Sequence, residues 1–279
     1  MSSIAEKRHA FRRLHETGCF VIPNPWDVGS AHFLQHLGFP ALASTSSGFA
    51  YSRARPDGGL PLNTVLAHLH ELVAMTDVPI NADFEGGFAR DPSGVTENVV
   101  RCVETGVAGL SIEDASGDKS DPLYDFDLCV ERIRAARQAI DAEGGQVLLT
   151  GRSEGFLVGC PDLDETIRRL QAYSAAGADC LYAPGIRTPE QISAVVNAVA
   201  PKPVNLLIGS AIGLTVDQVA RLGVRRISVG GALARAAWGG FARAAQLIAS
   251  EGRFDGLIDA LPGAELNDLF ADNKHRHQE

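Results

Sequence analysis

Residues 79–114 read PINADFEGGFARDPSGVTENVVRCVETGVAGLSIED, and the way this stretch divides decides the fold. Pro79–Asp83 and Gly109–Ile112 are short aliphatic runs bounded by glycine and polar residues. Between them Thr96–Thr105 carries apolar residues at helical spacing, and Gly106 follows where a left-handed helix cap belongs. This is a strand, a helix and a strand, and strands joined through a helix run parallel.

The same alternation extends in both directions. Further strands are expected near Cys19–Ile22, Ala41–Ser44, Gln146–Thr150, Cys180–Tyr182, Val204–Leu207 and Ile227–Val229. Amphipathic helices are expected at Leu60–Met75, Asp127–Ala142, Leu163–Ala176, Pro189–Ala200 and Val216–Leu222. Gly144, Gly177 and Gly223 stand after helical stretches, and Asp162 and Thr188 stand where N-caps belong, with Pro189 directly behind Thr188. The α/β reading is therefore a (β/α)8 TIM barrel. No linker, charge block or repeat divides the chain, so one domain over residues 1–279 is expected, with its barrel core at about 15–250. A C-terminal helical tail follows at about 251–279, including a short helix at Ala264–Ala271 and ending in NKHRHQE.

Composition narrows the function. At 45% hydrophobic and 21% charged residues over 279 positions, the chain has the balance of a folded soluble protein. A net charge of −9 opposes a nucleic-acid partner, whose binding rests on cations neutralising phosphates. No apolar run is long enough for a membrane helix and the polar, helix-like start lacks a signal-peptide centre, so a cytoplasmic location without membrane contact is expected. The five cysteines, Cys19, Cys102, Cys129, Cys160 and Cys180, have no metal-ligand spacing and read mostly as small buried hydrophobes. His9, His15, His32, His36, His68 and His70 fall on helical stretches and read as surface or packing residues, while His275 and His277 belong to the tail.

In such a barrel, chemistry is expected at the carboxyl ends of the strands, where the packed interior opens. Asp83, Glu85 and Glu113 converge there from adjacent strands. Three like charges at one rim call for a cation, and oxygen ligands without His or Cys suit Mg2+, or Mn2+, better than zinc. The plainer alternative is that Glu85 or Glu113 pairs with Arg152 or a surface arginine. Arg152, where the fifth strand meets the rim, could grip a substrate carboxylate with two nitrogens or form a structural ion pair. The Ser44–Gly48 turn offers hydroxyls and N–H groups to an oxyanion, or is only a turn. Asn205 is a further candidate for the same pocket. The polar loop Ala115–Asp127 follows a metal acid directly and reads as a lid, with Lys119, Asp118 and Tyr124 as candidates for proton transfer.

STSSGFAYSRARPDGG, NADFEGGF, GLSIED and LLTGRSEGF, in this order and spacing, resemble the isocitrate lyase and phosphoenolpyruvate mutase superfamily over about Phe20–Ala245. That superfamily includes methylisocitrate lyases, phosphonomutases and enzymes of the carboxyvinyl-carboxyphosphonate phosphorylmutase type. The resemblance implies that Asp83 is the central magnesium-site aspartate, that Glu85 stands for the second acid, usually Asp, and that Glu113 is the glutamate of the IED motif. It makes Asp57 another acid of the site, Arg152 the arginine for the substrate carboxylate, and Ser44, Thr45 and Ser46 the loop receiving the oxo-acid end.

Departures from the pattern narrow the expectation. The lyases' lid motif Lys-(Lys/Arg)-Cys-Gly-His is absent from Ala115–Tyr124, the phosphonopyruvate loop is matched only at Lys119-Ser120, and Tyr182-Ala183-Pro184-Gly185 lacks the lyases' glutamate. The resemblance therefore implies a Mg2+-dependent lyase that makes or breaks a C–C bond of a small 2-oxo or 2-hydroxy carboxylate through an enolate. A phosphonomutase or phosphonopyruvate hydrolase and an oxo-acid decarboxylase are the rivals. A barrel holding phosphate at Gly230-Gly231 and a non-catalytic oxo-acid binding protein are alternatives of other kinds. Members commonly form tetramers that exchange the last barrel helix, so Ala232–Ile248 and the tail carry the expectation of a homotetramer or dimer.

Overall fold

The computed structural model describes residues 2–274, with side chains through 271; His275 and His277 lie outside the described residues. Eight strands form the interior: β1 (Phe20–Ile22), β2 (Leu42–Ala43), β3 (Ile80–Asp83), β4 (Gly109–Glu113), β5 (Leu148–Arg152), β6 (Cys180–Tyr182), β7 (Val204–Leu207) and β8 (Arg226–Ser228). They pair in parallel in the order β1-β8-β7-β6-β5-β4-β3-β2. Between β2 and β1 the ring is joined by the Ala43 N–H donating to the Pro23 carbonyl at 3.0 Å, which makes a nearly closed (β/α)8 barrel.

Around it run α1 (Ile4–Leu14), α2 (Val28–His36), α3 (Ser46–Ser52), α4 (Leu62–Met75), α5 (Pro92–Glu104), α6 (Phe126–Ala142), α7 (Leu163–Ala175), α8 (Pro189–Val199), α9 (Val216–Arg221), α10 (Ala232–Glu251) and α11 (Gly263–Lys274). Asp162 and Thr188 cap α7 and α8 as their sequence positions predict. Gly106, Gly144, Gly177 and Gly223 all adopt positive φ. Two helices depart from the sequence reading. Nothing in the periodicity marked α2, and the Ser44–Gly48 turn is the start of α3, with the Thr45 hydroxyl accepting the Gly48 N–H at 3.2 Å. The seven residues of α3 are too few for periodicity to show.

Strand residues alternate between two cores. Leu110, Leu149, Leu181, Leu206 and Ile227 face the helices and are fully buried there. Phe20, Ile22, Ala43 and Leu148 face the barrel axis and meet Phe11 of α1, which enters from the foot of the barrel. Gly109 makes the room: a Cβ there would lie 2.6 Å from both the Phe11 ring and Asn81 Oδ1. The core thus begins with α1, ahead of the expected boundary near residue 15.

The cations of α1 hold it in place. Lys7 Nζ donates to the Val73 and Thr76 carbonyls, Arg8 Nη2 to the Val103 carbonyl at 2.8 Å, and Arg12 Nη2 to the Gly145 carbonyl at 3.2 Å. The first two sites are the carbonyl ends of α4 and α5, where unpaired acceptors and the helix dipole both favour a cation, and the third is the turn that follows α6.

Two imidazoles, His68 buried and His15 half-buried, make the fold acid-sensitive. Burial, then the neighbouring Arg226, pushes His15 down to about 3, and burial pushes His68 down to about 4. Below an unfolded value near 6.5 the unfolded chain takes up protons that the folded chain refuses, so stability falls from pH 6.5 toward pH 4. For His68 alone the loss approaches about 3 kcal/mol when fully expressed. Urea midpoints between pH 7 and pH 4.5 should fall accordingly; a flat profile contradicts this account.

Of the cysteines, Cys102, Cys129 and Cys180 are buried, Cys19 is half-buried and Cys160 is exposed. Among the described residues, no helix is long and apolar enough to cross a membrane.

Candidate active site

The rim acids are brought together by strand register. Glu113, Arg152 and Tyr182 are successive partners across β4, β5 and β6, so their side chains share the inner face at one height. Asp83 ends β3 and pairs with Ser111, one residue pair lower on the neighbouring strand. Arg152 Nη1 lies 3.1 Å from both Asp83 Oδ1 and Glu113 Oε2, while its Nε is bound to Glu154. The Tyr182 ring lies 5.1 Å from the guanidinium. Burial works against the charge on Arg152, but Glu113, Glu154, Tyr182 and Asp83 outweigh it and hold its pKa well above the ordinary value.

Asp83 is fixed on three sides. Its N–H donates to Ser44 Oγ at 2.8 Å and its Oδ2 accepts the Ser46 N–H at 2.9 Å, beside the Arg152 contact. The β2 turn thus orients an acid. Ser44 is buried, and its carbonyl accepts from Asn24, whose Oδ1 in turn accepts the Val229 and Gly230 N–H groups at 2.9 and 2.8 Å. Asn24 therefore ties the ends of β1, β2 and β8 together, a role nothing in VIPNPW announces.

Above the acids lies an open cavity of about 750 Å³, walled by Asp57, Glu85, Glu113, Tyr124, Arg152 and Glu154 among others. Its acids resist ionisation. Burial, then Asp83 and Asp57, pushes Glu85 up to about 7, burial raises Asp57 against a bond from Ser46, and burial raises Glu113 despite Arg152. Glu85 itself sits at φ 48°, in the left-handed region that non-glycine residues enter at a cost.

Behind the rim, Asp114 is spent on architecture. Its Oδ1 accepts the Glu154 N–H at 2.7 Å, and its Oδ2 accepts from the Tyr173 hydroxyl at 2.7 Å and from Arg169 at 3.3 Å. The Tyr124 N–H donates to the Asp114 carbonyl at 2.9 Å, and Arg169 donates to the Tyr124 carbonyl at 3.1 Å. The loop after β4 is therefore a pinned hairpin, with an antiparallel bridge between Ala115 and Leu123. Its tip at 117–121 is exposed.

The other expected site residues divide. Asp57, Ser46 and Tyr124 line the cavity, and the Tyr124 ring is held by Arg132, 4.3 Å from its centroid. Lys119 is on the exposed tip and does not line the cavity. Thr45 caps α3. Asn205 is a correction: it is buried inside the barrel, donating to Ser228 Oγ at 2.9 Å and accepting from Arg226 at 2.8 Å, which leaves its amide committed below the pocket. The two-nitrogen grip expected of Arg152 also needs correcting, since Nε and Nη1 are taken and Nη2 alone is left. Glu154 escaped the sequence reading although it stands two residues beyond Arg152, the spacing that returns a side chain to the same face of an extended segment.

Whether these residues suit a divalent ion turns on charge. Asp57, Asp83, Glu85, Glu113 and Glu154 surround one guanidinium, and the Glu85 carboxylate has no ion pair or hydrogen bond among the described residues. Among the described residues no three acids, histidines or cysteines form a ready metal cage. The donor set therefore fits a hard cation held by one or two carboxylates and its own waters, the habit of Mg2+, and does not fit a dehydrated cage.

The pattern that defines the phosphoenolpyruvate phosphomutase family matches residues 11–249. The chain belongs to the isocitrate lyase and phosphoenolpyruvate mutase superfamily. Its fold superimposes on a Burkholderia cenocepacia J2315 protein, provisionally named a lyase/mutase, with a TM-score of 0.92 and 47% identity over 96% of each chain. Oxaloacetate acetylhydrolase with bound oxalate gives a TM-score of 0.85 at 25% identity over 98% of this chain and 96% of that one. The uncharacterized Mycobacterium tuberculosis H37Rv protein Rv1998c is 31% identical over 96% of this chain and 98% of its own. Members of this superfamily are lyases or mutases, which supports reading the chain as an enzyme.

Proposed function

We propose that this superfamily member is a lyase that makes or breaks a C–C bond of a small 2-oxo or 2-hydroxy carboxylate, with Mg2+ or Mn2+ at the rim acids. The observation that carries the reading is the surplus of carboxylates around one arginine, with Glu85 left without a protein partner. Asp83, Glu85 and Glu113 would hold the ion, directly or through its waters. Bound there, it would supply a Lewis acid for an oxygen on which negative charge develops.

The chain's own residues do the rest. Arg152 Nη2 is the guanidinium nitrogen left to meet a substrate carboxylate, and Glu154 keeps the fork aimed at the acids. Tyr124 presents its ring to the cavity from the pinned hairpin, a placement from which its hydroxyl can hand over a proton. Leu157 and Val158 add an apolar side to the cavity opposite the acids' charge. A phosphonate substrate is the weaker reading, because Arg90 is the one cation beside Arg152 among the described residues lining the cavity. Trp238 and Phe241 on α10 are exposed and suit burial against a second copy in a dimer or tetramer, and a cytoplasmic location accords with this chemistry.

Oxaloacetate is the first substrate to test, given the likeness to oxaloacetate acetylhydrolase. Turnover of oxaloacetate, a 2-methylisocitrate and phosphonopyruvate should vanish on chelation for whichever is used, and return with Mg2+. Activity indifferent to chelator overturns the metal, and tight binding of one acid without turnover marks a non-catalytic binding protein.

A further inference from the structure

Beside the open cavity, on the α4 side of the acids, lies a small chamber of about 10 Å³ bordered by Ser44, Ser46, Phe49, His68, Asp83 and Glu85. That is room for one water molecule. Two polar groups on its wall lack partners. His68 is 5% exposed, yet its Nε2 has no hydrogen bond. The Glu85 carboxylate, as above, has neither hydrogen bond nor ion pair among the described residues. Glu85 is half-buried, whereas the His68 nitrogen is enclosed, and an unsatisfied enclosed group is rare and implies a missing partner, most simply a water where the space is polar and of the right size.

We propose that one ordered water occupies this chamber and bridges His68 to Glu85, which makes His68 a positioning residue for Glu85. The water gives one proton to Nε2 of the neutral ring and the other to the Glu85 carboxylate, and its oxygen can accept from the Ser44 hydroxyl, which also borders the chamber. Phe49 sets the ring for this. Its ring stacks on His68 with centroids 3.7 Å apart and planes 6° apart, so the imidazole cannot swing away. Glu85 needs such an anchor, because its backbone stands at φ 48° and a strained residue keeps its geometry only when its surroundings over-determine it. The Glu85 carbonyl already accepts the Glu113 N–H at 3.0 Å, and the hold on its carboxylate comes from α4, through the water.

The functional half of this inference rests on Glu85 as a metal acid, and the structural half does not. A high-resolution crystal structure should show the water between His68 and Glu85; an empty chamber, or one filled by an ion or substrate atom, overturns the proposal. His68→Leu should remove the water and let the Glu85 carboxylate turn, and should weaken Mg2+ binding in calorimetry about 10–100-fold. Its melting temperature at pH 7 should stay near that of the parent, and His68→Gln, which keeps a hydrogen-bonding head, should recover most of the affinity. Unchanged Mg2+ affinity in His68→Leu overturns the positioning role. Should the parent bind no Mg2+, the metal reading fails, and the water together with the Glu85 side-chain position in the His68→Leu crystal still decides the bridge.

Discussion

Asp114→Ala should unfold at markedly lower urea, with a loss of about 3–5 kcal/mol, the usual cost of removing one partner from a buried ion pair. The carboxylate is 2% exposed and accepts from the Glu154 N–H, the Tyr173 hydroxyl and Arg169. Removing it strands a guanidinium, a phenol and a backbone donor in the interior at once, and each unmet donor carries its own desolvation cost. Arg169 keeps Glu165 at 2.8 Å as a partial refuge, which limits the damage from its side. Asp114→Asn should lose less, because the amide oxygen still serves one donor. Asp118→Ala, on the exposed hairpin tip, should leave the urea midpoint essentially where it is in the parent. A loss below about 1 kcal/mol for Asp114→Ala would mean that the interior repacks around the gap.

Arg152→Lys should leave the barrel folded and cut kcat/KM on the true substrate by about 10²–10³-fold, equivalent to about 3–4 kcal/mol of transition-state stabilisation. The reason is geometric. The guanidinium meets Glu154 through Nε and both Asp83 and Glu113 through Nη1, and still has Nη2 to offer. An ammonium group keeps the charge but has a single head, which cannot serve acids on two sides and a ligand on a third. Circular dichroism and melting temperature separate this from misfolding. A variant within tenfold of the parent would show that the fork is structural only.

The strands were legible because each is a short aliphatic run fenced by turn residues, and β6 and β7 fall where the sequence predicts, Cys180–Tyr182 and Val204–Leu207. The gathering of Asp83, Glu113 and Arg152 was legible too, since a barrel sends the ends of adjacent strands to one rim. Who pairs with whom was not. That Arg152 spends two nitrogens on acids depends on register and on Glu154, and that Asn205 turns to Ser228 and Arg226 depends on what lies beneath it in the barrel. Glu85 shows the limit most clearly. Its place in the DFEGG motif marks it as an acid of the site, whereas its left-handed backbone has no local signal and its chamber shared with His68 joins the end of β3 to α4, elements that no local pattern relates.

At the opposite end from the rim, Phe11 seats in the barrel axis while Lys7 and Arg8 fasten to α4 and α5 and Arg12 to the turn after α6. The leading segment is thus a stopper with its own clasps. With the foot filled from below, the cavity described above opens at the acid rim, and trimming the front of the chain would be felt as an opened base instead of a shortened tail.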